Sequence, residues 1–423
     1  MIEETHEVSV KKSTAPTHWP SILQFAFSTL VIFVAMSLSV VMLIGGIIQL
    51  TSDNPNEAAR IFTYALTALF VSLLLLPSVV YSFSRIVGRE VSLGKPWRTL
   101  LRVARPKWLI ILFPLLLVIG HFANKQEPLS WVLLPPVHVL AVSIPVSWLA
   151  WLGIRKLQKF SSQRLWGIFN TGLVMGPAII FTLEIIVFIV VIFVAVFAFA
   201  FNPQNILELE QFAGGFDEII PGSPEEMAVL THMLNNPSVI FFMLFFLSVI
   251  VPLIEEAFKP IGVWFLAGRN PTPGDGFVAG IISGMGYALF ENLGNISLGL
   301  SWSTLVLARV GTSVMHIFTA GLIGYTLALA WKENRYLRLG AAYVLAVVIH
   351  GLWNAFTILS TVAGLEMEDS ILPYYLVPTG GIALVVLASG VFVLLILSNR
   401  KVRRESDGME KVLQTAENPE TKE

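Results

Sequence analysis

Four stretches in the second half of the chain combine residue types that can do acid–base or metal chemistry. They are Glu255 and Glu256 with Lys259, the row Tyr287, Glu291 and Asn295, the single His316, and His350 with Asn354. Glu255 and Lys259, the Tyr287 row, and His350 and Asn354 are each spaced at i and i+4, so each set projects from one face of a helix. Together they can supply what hydrolysis by an activated water needs: a base, a polarising group and donors for the developing oxyanion. Two imidazoles and a carboxylate also make a zinc set with an open position, in which the metal lowers the pKa of a bound water towards neutrality. On that reading Glu291, His316 and His350 hold Zn2+, Glu256 or its neighbour Glu255 is the general base, Lys259 offsets the charge of the pair, and Asn354 polarises the carbonyl under attack. A metal-free version is chemically sound as well, with a glutamate and a histidine activating water directly and His350 and Asn354 forming the oxyanion site.

Plainer readings stand beside these. An isolated Glu–Lys pair in a helix is usually an ion pair, and a single buried histidine is usually satisfied between helices. Against them, two adjacent carboxylates point in different directions and one lysine cannot neutralise both, and His316 does not stand alone. Glu184, His121 and His138 match no such spacing and are expected to be structural. The chain has no cysteine, which excludes disulfides, thiolate ligands and a cysteine nucleophile.

The elements that must position these residues are membrane spans. Of 423 residues, 55% are hydrophobic and 13% charged, against about 25% charged in a soluble domain, and the mean hydropathy is +0.75. Apolar stretches run over 21–50, 61–83, 108–122, 131–154, 166–201, 239–267, 276–298, 303–331, 340–362 and 372–397, long enough for an all-α, polytopic transmembrane bundle of about ten spans. The first run is too long for a signal-peptide core and is read as a retained helix. Ionisable groups inside a span cost about 2.5–3.5 kcal/mol each on insertion scales, so the four charged groups from Glu255 to Glu291 would cost roughly 10–14 kcal/mol unless paired or used. Pro252 and Pro260 bracket the Glu pair and free backbone carbonyls that neighbours must satisfy.

Lysine and arginine recur in alternate loops, around 11–12, 85–107, 155–164, 269, 332–338 and 400–404, while the loop 202–238 is acidic and carries neither. By the positive-inside rule both termini are cytoplasmic and the acidic loop is external, in a multi-pass protein of the cell membrane. Within that loop Ser223, Pro224 and Glu226 spell a helix start, predicting a short surface helix through Asn235. The resulting division is a cytoplasmic segment 1–20, five N-terminal spans over 21–201, the external loop 202–238, a core 239–362, a last span 363–397 and a cytoplasmic tail 398–423, irregular from Glu405. A net charge of −1 with no basic face gives no reason to expect nucleic acid.

The motifs resemble those of the PrsW family of intramembrane peptidases, related to the CAAX-protease and bacteriocin-processing superfamily. The resemblance rests on E-E-x-x-K at Glu255 to Lys259, a glycine-rich helix leading through Tyr287 to Glu291 and Asn292, a histidine helix around His316, and H-x-x-x-N at His350 to Asn354, in the family's order. It covers about 251–356. Tyr287 stands where phenylalanine is usual, and the long N-terminal half exceeds the minimal architecture. The resemblance implies cleavage of a membrane-anchored or membrane-proximal protein within the lipid bilayer, such as an anti-sigma factor released to signal. Two other classes remain open on the residues alone. Intramembrane carboxylates and histidines also mark proton-coupled transporters, although no counterpart of the Glu-Glu-x-x-Lys segment recurs in the first half, and a non-catalytic scaffold could use the same polar groove.

Overall fold

The computed structural model describes residues 18–51, 55–89, 106–126, 128–157, 160–200, 234, 236–296, 302–364 and 372–417. These residues form helices and no strand: α1 (Trp19–Gln49), α2 (Pro55–Ile86), α3 (Leu112–Ala123), α4 (Leu134–Ile154), α5 (Ser162–Asn170), α6 (Gly176–Ala200), α7 (Pro237–Phe245), α8 (Val251–Phe258), α9 (Pro273–Gly294), α10 (Trp302–Glu333), α11 (Tyr336–Ala363) and α12 (Leu376–Glu417). The expected short helix near Ser223 lies outside the described residues.

Among the described residues eight helical segments are long and apolar enough to cross a membrane: α1, α2, α4, α5 running into α6, α7 running into α8, α10, α11 and α12. Two of the ten expected spans differ. The α3 helix has 12 residues, about 18 Å against a hydrocarbon core of about 30 Å. The α9 helix has 22 residues, but its glycines, Asp275 and Glu291 keep it less apolar than the others. It can be so because it is an inner helix, with fifteen of its residues buried. The buried share of the apolar window is 83% in α10 and 72% in α4 but only 11% in α1, so α4, α9 and α10 form the centre and α1 belongs to the lipid-facing ring. The molecule is an all-α polytopic membrane bundle.

Close packing of α9 on α10 comes from a glycine stripe. A Cβ on Gly276 would sit 2.2 Å from the Gly324 carbonyl oxygen, one on Gly280 2.2 Å from that of Ala320, and one on Gly284 2.7 Å from that of His316. Residues four apart without side chains let the two backbones touch, which is how helices associate strongly where lipid supplies no hydrophobic drive. That contact sets the register of His316 against the end of α9.

Prolines explain the two irregular spans. Thr171–Met175, just before Pro177, and Phe246–Ile250, just before Pro252, are π-helical. A proline has no N–H to return to the preceding turn, and widening that turn is one way to absorb the loss. At the second site the Leu247 carbonyl is taken by Asn354, whose Nδ2 donates to it at 2.7 Å. Pro260 ends α8, and the Ser283 hydroxyl of α9 donates to the Lys259 carbonyl at 2.6 Å.

The tail differs from the expected irregular chain. Helix α12 continues to Glu417, and where it passes into the polar region Tyr325 donates to Glu405 at 3.0 Å while Lys401 approaches the same carboxylate at 4.0 Å. Mixed charges at helical spacing support a helix beyond the apolar run.

Candidate active site

The polar cluster forms where α8, α9, α10 and α11 meet, and it is built outward from Lys259. Burying an ammonium without partners is prohibitive, and this side chain, fully buried, meets Glu255 Oε2 and Glu256 Oε1 at 2.8 Å each. Its Nζ also lies 3.2 Å from His350 Nδ1 and 5.0 Å from the centre of the Tyr287 ring. Glu256 is completely buried, and its Oε1 is 3.0 Å from His350 Nδ1. In the tautomer whose Nδ1–H donates to that carboxylate, the lone pair falls on Nε2, which lies 3.8 Å from Glu255 Oε2.

A second carboxylate orients the other histidine. Glu291 Oε2 is 2.6 Å from His316 Nε2 and 2.8 Å from Arg309 Nη2. With the Nε2 proton engaged by that carboxylate, the lone pair of His316 sits on Nδ1, which is buried and has no hydrogen-bond partner. Arg309 also donates from Nε to Asn292 Oδ1 at 2.7 Å, and Asn292 donates to Ser313 at 2.8 Å. The two histidine rings stand edge to face with centroids 5.3 Å apart, and Tyr287 packs on His316 at 5.2 Å.

One ligand atom each from Glu255, His316 and His350 lie within 4.8 Å of one another. Two imidazole nitrogens and a carboxylate oxygen suit a divalent transition metal, and each histidine has a carboxylate on its far nitrogen, the arrangement that fixes metal-ligand tautomers. Three carboxylates face two cations in this cluster, so it has an uncompensated negative charge to offer. The residues fit a metal.

Sequence reasoning brought Glu255, Glu256, Lys259, Glu291, His316 and His350 to one place, and the structure does the same. It differs in detail. Glu255, not Glu291, stands with the two histidines, while Glu291 is engaged by His316 and Arg309. Asn354 spends its amide on Leu247, and Asn295 caps α9 at an exposed position with its N–H on the Glu291 carbonyl. Arg309 went unassigned although it is buried on the face of α10 that carries Ser313 and His316. Glu184 is less isolated than expected. Its helix α6 packs on α8, and its Oε1 is buried without a partner. The available signal was that it is the only charged residue of a 25-residue apolar helix. His138 accepts from the Trp302 indole at 3.2 Å and His121 meets Ser303 at 3.2 Å, both away from the cluster.

A buried carboxylate and imidazole cluster inside a multi-pass helical bundle suits hydrolysis by an activated water. The comparison with known families agrees: the PrsW family intramembrane metalloprotease matches residues 178–395, just over half of the chain. The protein belongs to that family, and it is an intramembrane metalloprotease. No match is found among curated proteins or among solved structures.

Proposed function

We propose that the protein hydrolyses a peptide bond of a membrane-anchored protein with a water held among Glu255, His316 and His350, and that its metal is zinc. The observation that carries this reading is the unpartnered, buried Nδ1 of His316 beside His350 and Glu255. Those three residues would hold the metal. When bound, zinc supplies a Lewis acid that polarises the scissile carbonyl and lowers the pKa of water.

The chain's own groups do the rest. Glu256 is the general base: its Oε1 is committed to Lys259 and His350, whereas its Oε2 is buried with no partner and can receive a proton from water and return it to the leaving amine. Lys259 pairs with both carboxylates and offsets part of their charge. Glu291 with Arg309 orients His316, and Asn354 holds the start of α8 against α11 through Leu247. The side chain of Glu291 is 30% exposed where other members of the cluster are near zero, which supports approach of the substrate from the α9 end.

We assign the protease core to 239–362, with Glu184 reaching it from the preceding helix. Cell-membrane location with both termini cytoplasmic is supported by the alternate loops of lysine and arginine, and a membrane-anchored regulator such as an anti-sigma factor is the substrate class we infer. The experiment is cleavage of a single-span reporter by the full chain in proteoliposomes. Cleavage should stop on chelation and return with zinc, and Glu256→Gln should keep its metal while losing turnover. Full activity in metal-stripped protein would refute the zinc reading, and no cleavage of any single-span reporter by metal-loaded protein would refute the substrate class.

A further inference from the structure

Away from the catalytic cluster, a cavity of about 1040 Å³ opens where the start of α1, the end of α2, the start of α5 and the chain after Ile261–Trp264 meet. Four arginines line it, Arg85, Arg89, Arg164 and Arg269. All four are exposed, and among the described residues none forms an ion pair. Guanidinium groups stay charged at any relevant pH and match phosphate oxygens in pairs. Four of them converging without a carboxylate is a cost that an anion would relieve.

Two further observations point to the same ligand. Helix α5 begins in this cavity, with Ser161, Ser162 and Gln163 on its wall; the Ser161 side chain caps the Arg164 N–H, and the first-turn N–H groups before it, which have no partner inside the helix, bring the positive end of the dipole to the wall. Asn170, one of the lining residues, is only 2% exposed; its Nδ2 is bonded to Ser28 and its Oδ1 is buried with no donor. The missing donor and the unpaired cations are complementary to a headgroup that carries both a phosphate and a hydroxyl. The rest of the wall is apolar, from Leu23, Phe27, Met175 and Phe265, and Leu23 and Phe265 are 66% and 54% exposed towards the lipid. A cavity this large, lined by both arginines and apolar side chains, exceeds what a lone phosphate fills and suits a lipid at the membrane surface.

We propose that this cavity binds the headgroup of an anionic phospholipid, with the phosphate on the four arginines and the α5 N-terminus and a headgroup hydroxyl on Asn170. Basic pockets between transmembrane helices on the cytoplasmic side recognise anionic headgroups in this way. The lipid would bridge α1, α2, α5 and the turn after Lys259, so occupancy should also raise the melting temperature.

Native mass spectrometry of the full chain, titrated with phosphatidylglycerol or phosphatidylcholine, tests this directly. Phosphatidylglycerol should bind at least tenfold more tightly than phosphatidylcholine. The triple variant R85Q/R164Q/R269Q should lose about a hundredfold, each basic residue near an anionic surface contributing about a factor of five. The control R335Q/R338Q, in a different basic loop, should lose nothing. If the triple variant does not fold, R164Q alone should lose about fivefold. Equal retention of both lipids, or an unchanged titration in the arginine variants, overturns the proposal. Displacement of the lipid by equimolar inorganic phosphate would assign the site to the free anion and overturn the lipid. Capture of an acidic juxtamembrane peptide with no lipid retained would assign it to a protein segment, with the same consequence.

Discussion

Replacing Glu291 by glutamine separates two roles that a carboxylate near a metal can have. In the structure Glu291 accepts from His316 Nε2 at 2.6 Å and pairs with Arg309 at 2.8 Å, while Glu255 is the carboxylate grouped with His316 and His350. If Glu291 orients a ligand without being one, Glu291→Gln keeps three donors in place. It weakens the hold on the His316 tautomer, and losses of that kind run to about 10–100-fold in metal affinity, or about 1.4–2.8 kcal/mol. The assay is a competitive zinc titration of detergent-purified protein against a chromophoric chelator, with metal stoichiometry measured at saturation. One zinc per chain at saturation with affinity reduced within that range is expected for Glu291→Gln, and no stable zinc for Glu255→Gln. Stoichiometric binding in Glu255→Gln together with none in Glu291→Gln would refute the assignment and restore the ligand set of Glu291, His316 and His350 expected from spacing.

Lys259→Met should be among the most damaging single changes, because it leaves two buried carboxylates without their cation; a loss of about 3–5 kcal/mol is expected, read as a large fall in thermal midpoint. Gly280→Val should push α10 from α9, since even a Cβ meets the Ala320 carbonyl oxygen at 2.2 Å; about 1–3 kcal/mol of destabilisation is expected, with zinc affinity falling as the His316 register shifts. Asn354→Ala leaves the Leu247 carbonyl unpaired and should cost about 1–3 kcal/mol of stability with turnover per folded molecule reduced modestly. Loss of turnover at wild-type stability would instead assign Asn354 to the oxyanion. Glu184→Gln keeps the size and polarity of a buried side chain outside the metal set, so zinc stoichiometry should stay at one per chain by elemental analysis.

Much of the site is written in local spacing. Glu255 and Lys259 at i and i+4 predict the ion pair that the structure contains, and the charge cost of a buried polar set inside apolar spans marks those helices as the ones that converge. What spacing does not contain is register between helices. Whether Glu255 or Glu291 shares the histidines' space depends on how far α9 has slid along α10, and that is decided by backbone contact at Gly276, Gly280 and Gly284. Tautomers follow from the same contacts, since only the fold brings Glu256 to His350 and Glu291 to His316. The amide of Asn354 has the right type for an oxyanion donor, yet Pro252 frees a carbonyl close by and the amide goes there. Hydropathy likewise found ten elements but treated α9 as an ordinary span, although a helix surrounded by protein can afford glycine and charge. Arg309 and Glu184 were passed over because neither repeats at i+4 with another member of the set; their partners lie on other helices.

The most direct test of the central claim is hydrolysis of a single-span substrate in proteoliposomes made in 18O-labelled water, with both products sequenced by mass spectrometry. Peptide hydrolysis at this cluster predicts one 18O atom in the new C-terminal carboxylate, at a bond inside or beside the membrane span, and none when Glu256→Gln or His316→Ala replaces the wild type. Equal labelling by wild type and both variants would place the chemistry elsewhere and contradict the account.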